Sequence, residues 1–170
     1  MHRNGPEPFT TDRLDALPLE PGYADEMAAV LGDRDLYTYT GGAPEDAVAL
    51  RARYERQSAG SPDPAEQWCN WVLRVREDGR LAGYVQATVR GGTAEIAWVV
   101  GTPWQGRGYA KEAAVGLVAH LSADGHVRTV LAHIHPAHTA SAAVAGAAGL
   151  APTGEWEDGE VRWRRDVPGR

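Results

Sequence analysis

Only one cysteine, Cys69, occurs among 170 residues. An internal disulfide is therefore excluded, and the companions that a structural zinc site needs are missing. No apolar run approaches the length that spans a membrane, and Met1–Pro6 has no apolar segment of the kind found in secretory signals. A Gly-x-Ser-x-Gly elbow is absent, which removes the Ser-His-Asp hydrolase reading. Excess positive charge is absent too. The formal net charge is −6, which disfavours nonspecific nucleic-acid binding, because that affinity comes from basic residues on phosphates. The acidic balance is compatible with a cationic substrate such as an amine. A soluble cytoplasmic protein without membrane or nucleic-acid partners is expected.

What is present describes an ordinary globular chain, with 43% hydrophobic and 24% charged residues. Its length suits one domain with its own core. Residues 1–10 are polar and proline-containing and read as a loose end, 11–166 as the domain, and 167–170 as a tail. Thr11–Leu19 reads as a first strand. Pro21 opens a helix that ends before Gly32, and Pro44 opens a second that ends at Gly60. Trp68–Arg76 and Leu81–Val89 form a hairpin around Asp78-Gly79, and Gly91-Gly92 turns the chain into a third antiparallel strand from Ala94. Val127–Ile134 reads as a further strand, followed by an alanine-rich helix ending at Gly149 and a hairpin around Asp158-Gly159. The order implies a single mixed α/β sheet flanked by helices.

The chain is organised around Ala94–Asp124, a strand, a glycine-rich loop and a helix. Ala113, Ala114, Leu117, Val118 and Leu121 recur at helical spacing after the loop Gln105-Gly106-Arg107-Gly108-Tyr109-Ala110. The first N–H groups of that helix have no internal acceptor, so the loop is a ready anion site, best filled by a phosphate. Glycine at 106 and 108 allows a phosphate close to the backbone. The loop is neither a P-loop, since no Lys-Ser or Lys-Thr follows its last glycine, nor a dinucleotide fingerprint, since the third glycine is missing.

Gln-x-x-Gly-x-Ala after an apolar strand resembles the pyrophosphate loop of the GNAT superfamily of acyl-CoA-dependent N-acyltransferases. Thr11-Asp12-Arg13-Leu14, Asp78–Tyr84, Glu95–Val100 and Gln105–Ala113 resemble, in order, the landmarks of its ribosomal-protein N-acetyltransferase branch. His135–Ser141 with Gly149-Leu150 is similar to the branch's C-terminal landmarks, except that His138 replaces the usual asparagine and Leu150 the usual phenylalanine. The resemblance covers roughly Thr11–Arg165. It implies a GNAT-like fold whose mostly antiparallel sheet splays between its fourth and fifth strands. It implies an N-acetyltransferase that passes the acetyl group of acetyl-CoA directly to a primary amine, either a protein α-amine or a small molecule, without a metal. A homodimer is allowed. The competing class is a non-catalytic acyl-CoA-binding module on the same fold.

On this resemblance, main-chain groups of Val99 and Val100 hold the pantetheine arm, N–H groups from Gln105, Gly106, Arg107, Gly108, Tyr109 and Ala110 hold the pyrophosphate, and His138 and Ser141 lie beside the cofactor. Glu95 is the candidate acceptor of the amine proton, its alternative being a solvated strand-end glutamate. Ser141 is the candidate donor to the leaving thiolate, its alternative being a first-turn helix serine. Tyr37, Tyr39 and Trp98 either line the amine site or pack. His133 and His135 share a strand face, but His138 lies beyond Pro136 and no carboxylate is near in sequence, so no metal is expected. Cys69 reads as buried rather than nucleophilic.

Overall fold

A computed structural model describes residues 6–123 and 125–168. The expectations for residues 1–5, Asp124 and 169–170 lie outside these. One eight-stranded sheet is formed by β1 (Phe9–Thr10), β2 (Leu14–Pro18), β3 (Glu66–Val75), β4 (Leu81–Arg90), β5 (Thr93–Val100), β6 (Thr129–Ile134), β7 (Ala151–Glu157) and β8 (Glu160–Asp166). Its order is β1-β2-β3-β4-β5-β6-β8-β7. Only β5 and β6 run parallel. Four helices flank it: α1 (Ala24–Val30), α2 (Ala47–Ala59), α3 (Tyr109–Ser122) and α4 (Thr139–Ala147). The mixed, mostly antiparallel sheet is the expected one. Among the described residues, no helix is long and apolar enough to cross a membrane.

Differences fall at element ends and in one added strand, and each has an identifiable contact as its cause. The stretch expected to be loose contains β1, because Phe9 stacks on His120 at 4.8 Å and meets Trp71 edge-on at 5.5 Å. That extra strand makes the expected fourth and fifth strands β5 and β6. Helix α2 starts after Asp46 rather than at Pro44, since the Asp46 carboxylate caps it by accepting from the Ala49 N–H at 2.8 Å. Val167, expected in the tail, is buried and donates its N–H to the Arg128 carbonyl.

The period-2 alternation of strands gives the sheet two distinct faces. Cys69, Trp71, Val85, Ile96 and Trp98 share one face through the registers Cys69↔Ala87, Trp71↔Val85, Val85↔Trp98 and Ala87↔Ile96. Phe9 and His120 of α3 meet Trp71, so α3 covers this side. Asn70, Tyr84, Gln86, Glu95, Ala97 and Val99 share the other face, which α2 covers with Leu50 and Tyr54. Burial pushes the Cys69 thiol up to about 11, as suits an inert core cysteine.

The parting of β5 and β6 is the feature that positions a site. They pair for three rungs only, Thr93–Glu95 against Thr129–Leu131. Beyond Glu95 the strands separate, so the expected splay is present. One close approach marks the β4 side of this strand end: a Cβ on Gly83 would lie 2.1 Å from the Val99 carbonyl oxygen. Only glycine fits there. Gly83→Ala is therefore expected to destabilise the fold by roughly 1–3 kcal/mol or more, the range for overpacking. Chemical denaturation of the two proteins checks this.

Candidate active site

Two hydrogen bonds set the phase of the β5 main chain. At its start the Thr129 N–H donates to the Gly92 carbonyl at 3.1 Å, so even-numbered residues turn towards β6. At its end the Gly101 N–H donates to the Ala82 carbonyl at 2.7 Å, so odd-numbered residues turn towards β4. Trp98 and Val100, beyond the last rung, therefore direct their main-chain groups into the gap. Of the expected pair, Val100 turns its main chain to the gap, whereas the Val99 main chain turns back to Tyr84 on β4. The partner of Val100 at the gap is Trp98, a residue expected on the amine side. The direction of a main-chain group depends on ladder phase, which the apolar run alone does not reveal.

The loop after β5 is held by specific contacts. The Gln105 side chain donates to the Val100 carbonyl at 3.0 Å, tying loop to strand. Its own N–H donates to the Thr102 carbonyl at 3.2 Å. Gln105 is thus a strut, and the series of free donors begins one residue later than expected. Gly106 (φ 76°) and Gly108 (φ 83°) are left-handed, which carries the chain into α3. The first bond of the helical turn runs from the Glu112 N–H to the Gly108 carbonyl at 3.0 Å, so the N–H groups just ahead of it have no intrahelical acceptor.

Arg13 braces this turn, a role that spacing along the chain does not disclose. Its guanidinium donates to Glu112 Oε1 at 2.7 Å and to the Arg107 carbonyl at 2.9 Å, and lies 4.3 Å from the Tyr109 ring centre. Partial burial pushes the Glu112 carboxyl up. Hydrogen bonds from the Thr11 hydroxyl and from the Arg13 side chain and N–H outweigh this and hold it below the usual carboxylate range.

On the opposite face, a cavity is lined by Tyr37, Tyr54, Asn70, Tyr84, Gln86 and Val99, among others. Its charged lining residues among those described, Glu45 and Arg53, neutralise each other at 2.8 Å. Burial raises the phenols of Tyr37, Tyr54 and Tyr84, so all three stay protonated at neutral pH. Tyr37 lines the cavity, with its hydroxyl donating to the Leu31 carbonyl at 2.9 Å.

Tyr39 does not join it. Its ring stacks on His138 at 4.6 Å and leans on His135 at 5.1 Å, which bridges the loop before α2 to the loop before α4. Trp98 has its side chain on the α3 face, away from the cavity. Of Tyr37, Tyr39 and Trp98, Tyr37 alone lines this cavity.

His138 and Ser141 come together, with His138 Nε2 3.3 Å from Ser141 Oγ. Burial, then the neighbouring His135, holds the His138 imidazole below its ordinary value, so it is neutral at pH 7. A neutral ring can accept from, or donate to, the serine hydroxyl.

Glu95 lies on the cavity face and is half exposed. The sequence shows no carboxylate near His133, yet the fold brings two: Glu95 Oε1 lies 2.8 Å from Nδ1 and Glu157 Oε2 lies 3.0 Å from Nε2. The three ligand atoms lie within 4.8 Å of one another. As placed, the carboxylates occupy opposite edges of one imidazole, and Arg162 Nε sits 3.2 Å from Nε2.

The acetyltransferase (GNAT) domain family matches residues 13–151. No curated protein matches. Among solved structures, the chain is similar to RimL, a ribosomal-protein α-N acetyltransferase in complex with coenzyme A, at 15% identity and a TM-score of 0.80, covering 95% of this chain and 98% of that one. It is similar to a GNAT-family acetyltransferase from Bacillus anthracis at 17% identity and a TM-score of 0.78, with the same coverages. A microcin self-immunity acetyltransferase in complex with acetyl-CoA and AMP gives 16% identity and a TM-score of 0.78, covering 92% and 93%.

A side chain on Gly108 would intrude on the donor loop beside Arg13. Gly108→Glu adds bulk, strain at a left-handed residue and a negative charge, and is expected to abolish measurable acetyl-CoA binding. Calorimetry on the folded variant checks this, with unchanged affinity counting against the loop.

Proposed function

The chain belongs to the GNAT acetyltransferase family, and from that premise we propose direct transfer of an acetyl group from acetyl-CoA to a primary amine within a ternary complex. The observation that carries the proposal is the gap between β5 and β6, which has the donor loop of α3 at its end and the tyrosine-lined cavity on the opposite sheet face. The residues suit the donor. The free N–H groups from Gly106 to Ala110 would hold the pyrophosphate, and the main chain of Trp98 and Val100 would meet the pantetheine arm. Bound there, acetyl-CoA supplies an activated thioester carbon.

The chain's own residues then have three tasks. An N–H at the gap polarises the thioester carbonyl, because donors fixed before the reaction cost no reorganisation as the oxyanion develops. Glu95 takes the proton of the incoming ammonium, which frees the nitrogen lone pair for attack. A C–N bond forms and the C–S bond breaks. Ser141, relayed by neutral His138, protonates the departing thiolate, and the second proton that the nitrogen sheds as the amide forms returns through solvent to that pair.

The balanced Glu45–Arg53 pair and the amide groups of Asn70 and Gln86 suit one amine on a peptide-like body better than a polycation, which would require several unpaired carboxylates. A protein or peptide α-amine is therefore the preferred acceptor, ahead of a small-molecule amine.

Incubation with acetyl-CoA and a panel of peptides and small amines should release free thiol with a peptide α-amine. No release with any amine would overturn the proposal. Ser141→Ala should lower turnover about 10²-fold or less, the low end for acid catalysis, while acetyl-CoA affinity stays nearly unchanged. Glu95→Gln should slow the reaction most below the acceptor's pKa and little above it, where the amine is already neutral. A Glu95→Gln profile that overlays the parent's would remove Glu95 from the mechanism.

A further inference from the structure

Among the described residues, His133 is the one histidine locked within the sheet between charged neighbours, and the mechanism above does not use it. It lies on β6 two residues beyond Leu131, the last residue paired with β5, and so faces the same side as Glu95. Its side chain is only 10% exposed, whereas that of Glu95 is 53% exposed. The buried ring therefore forms a fixed base against which a mobile carboxylate can be held. Long exposed ion pairs contribute little because both partners must be ordered. Here one partner is already ordered by the sheet.

The ring's second nitrogen decides what the first one does. Nε2 has Arg162 Nε at 3.2 Å and Glu157 Oε2 at 3.0 Å. In the neutral ring, Arg162 donates to Nε2, which places the single imidazole proton on Nδ1. In the protonated ring, Nε2–H donates to Glu157, and Nδ1 carries a proton as well. In both states Nδ1–H points at Glu95 Oε1, 2.8 Å away. Arg162 is itself fixed, opposite His133 in the β6–β8 ladder and 2.7 Å from Glu155. Glu160, across from Glu157 on β8, completes the charged surroundings, and His135 follows on the same chain segment.

We propose that His133 is a positioning residue for the amine-side base: through Nδ1–H it holds one oxygen of Glu95 and leaves the other to accept the ammonium proton. The step adds no reactant. One N–H bond of the ammonium breaks and one O–H bond forms on Glu95, while the imidazole proton stays on Nδ1. This rests on the reading of Glu95 as the proton acceptor. The arrangement needs β5, β6, β7 and β8 together, which is why no spacing in the sequence discloses it.

The test uses two polar substitutions of similar character in the full-length chain. His133→Asn keeps an N–H near the Nδ1 position, whereas His133→Gln carries it near Nε2. His133→Gln should lower kcat about tenfold or more, a cost in keeping with misplacing a catalytic group, with KM for acetyl-CoA unchanged. The deficit should be largest below the acceptor's pKa, as for Glu95→Gln. His133→Asn should recover most of the lost rate. In a Glu95→Gln background, His133→Gln should add no further loss, since it acts only through that carboxylate.

Equal behaviour of the Asn and Gln variants, whether both active or both impaired, overturns the positioning role. An additive loss in the double variant overturns it as well. If Glu95→Gln alone is silent, the underlying reading of Glu95 fails first, so the two failures are distinguishable.

Discussion

The parting of β5 from β6 after Glu95 is the constraint on which the remaining features depend. A paired strand has no main-chain groups to offer a ligand, because its donors and acceptors are consumed by the ladder. Three parallel rungs hold the strands together at one end. Beyond them β5 stays paired to β4 alone and keeps one edge free. Gly83 allows the Val99 carbonyl to lie close over β4, and the Gln105 side chain ties the end of β5 to the loop that follows. The free edge of a strand and the unsatisfied start of a helix thus become neighbours. Both carry main-chain donors, and together they form a trough suited to a long, anion-bearing ligand.

Strand alternation then divides the work. Even residues of β5 give their main chain to the gap and their side chains to the α3 face, where Ile96 packs in the core. Odd residues give their main chain to β4 and their side chains to the cavity face, where Glu95 and Val99 lie. On the proposed function, one strand would serve both substrates through different atoms. The apolar character of Ile96, Val99 and Val100 is consistent with ordinary packing and with this role, because the role belongs to the backbone.

Much of this was legible in the sequence where the signal is local. Gly106 and Gly108, the helical repeat from Ala113 to Leu121 and the Asp78-Gly79 turn each act within a few residues, so spacing discloses them. The pieces that were not legible depend on contacts between distant segments or on a contest between two local signals. Helix α2 begins at its Asp46 cap and not at Pro44, because a side-chain acceptor outweighed a favourable φ. Tyr37 and Tyr39 differ by two residues yet reach different places, one into the cavity and one onto His138. Trp98 was expected among substrate contacts by residue type, but strand phase turns its side chain away and its main chain inward. The carboxylates beside His133 are 38 residues before it and 24 after it by subtraction of positions in the chain.

The central claim is that main-chain donors at the gap, rather than side chains, hold the acyl donor. Residue-resolved amide hydrogen exchange with and without coenzyme A tests it most directly. The account predicts new protection at the N–H groups of Trp98 and Val100 and at those of 106–110, with no comparable change at Ala97 or Val99, whose N–H groups already face β4. Protection confined to α1 and α2, or an equal gain at odd and even residues of β5, would contradict it.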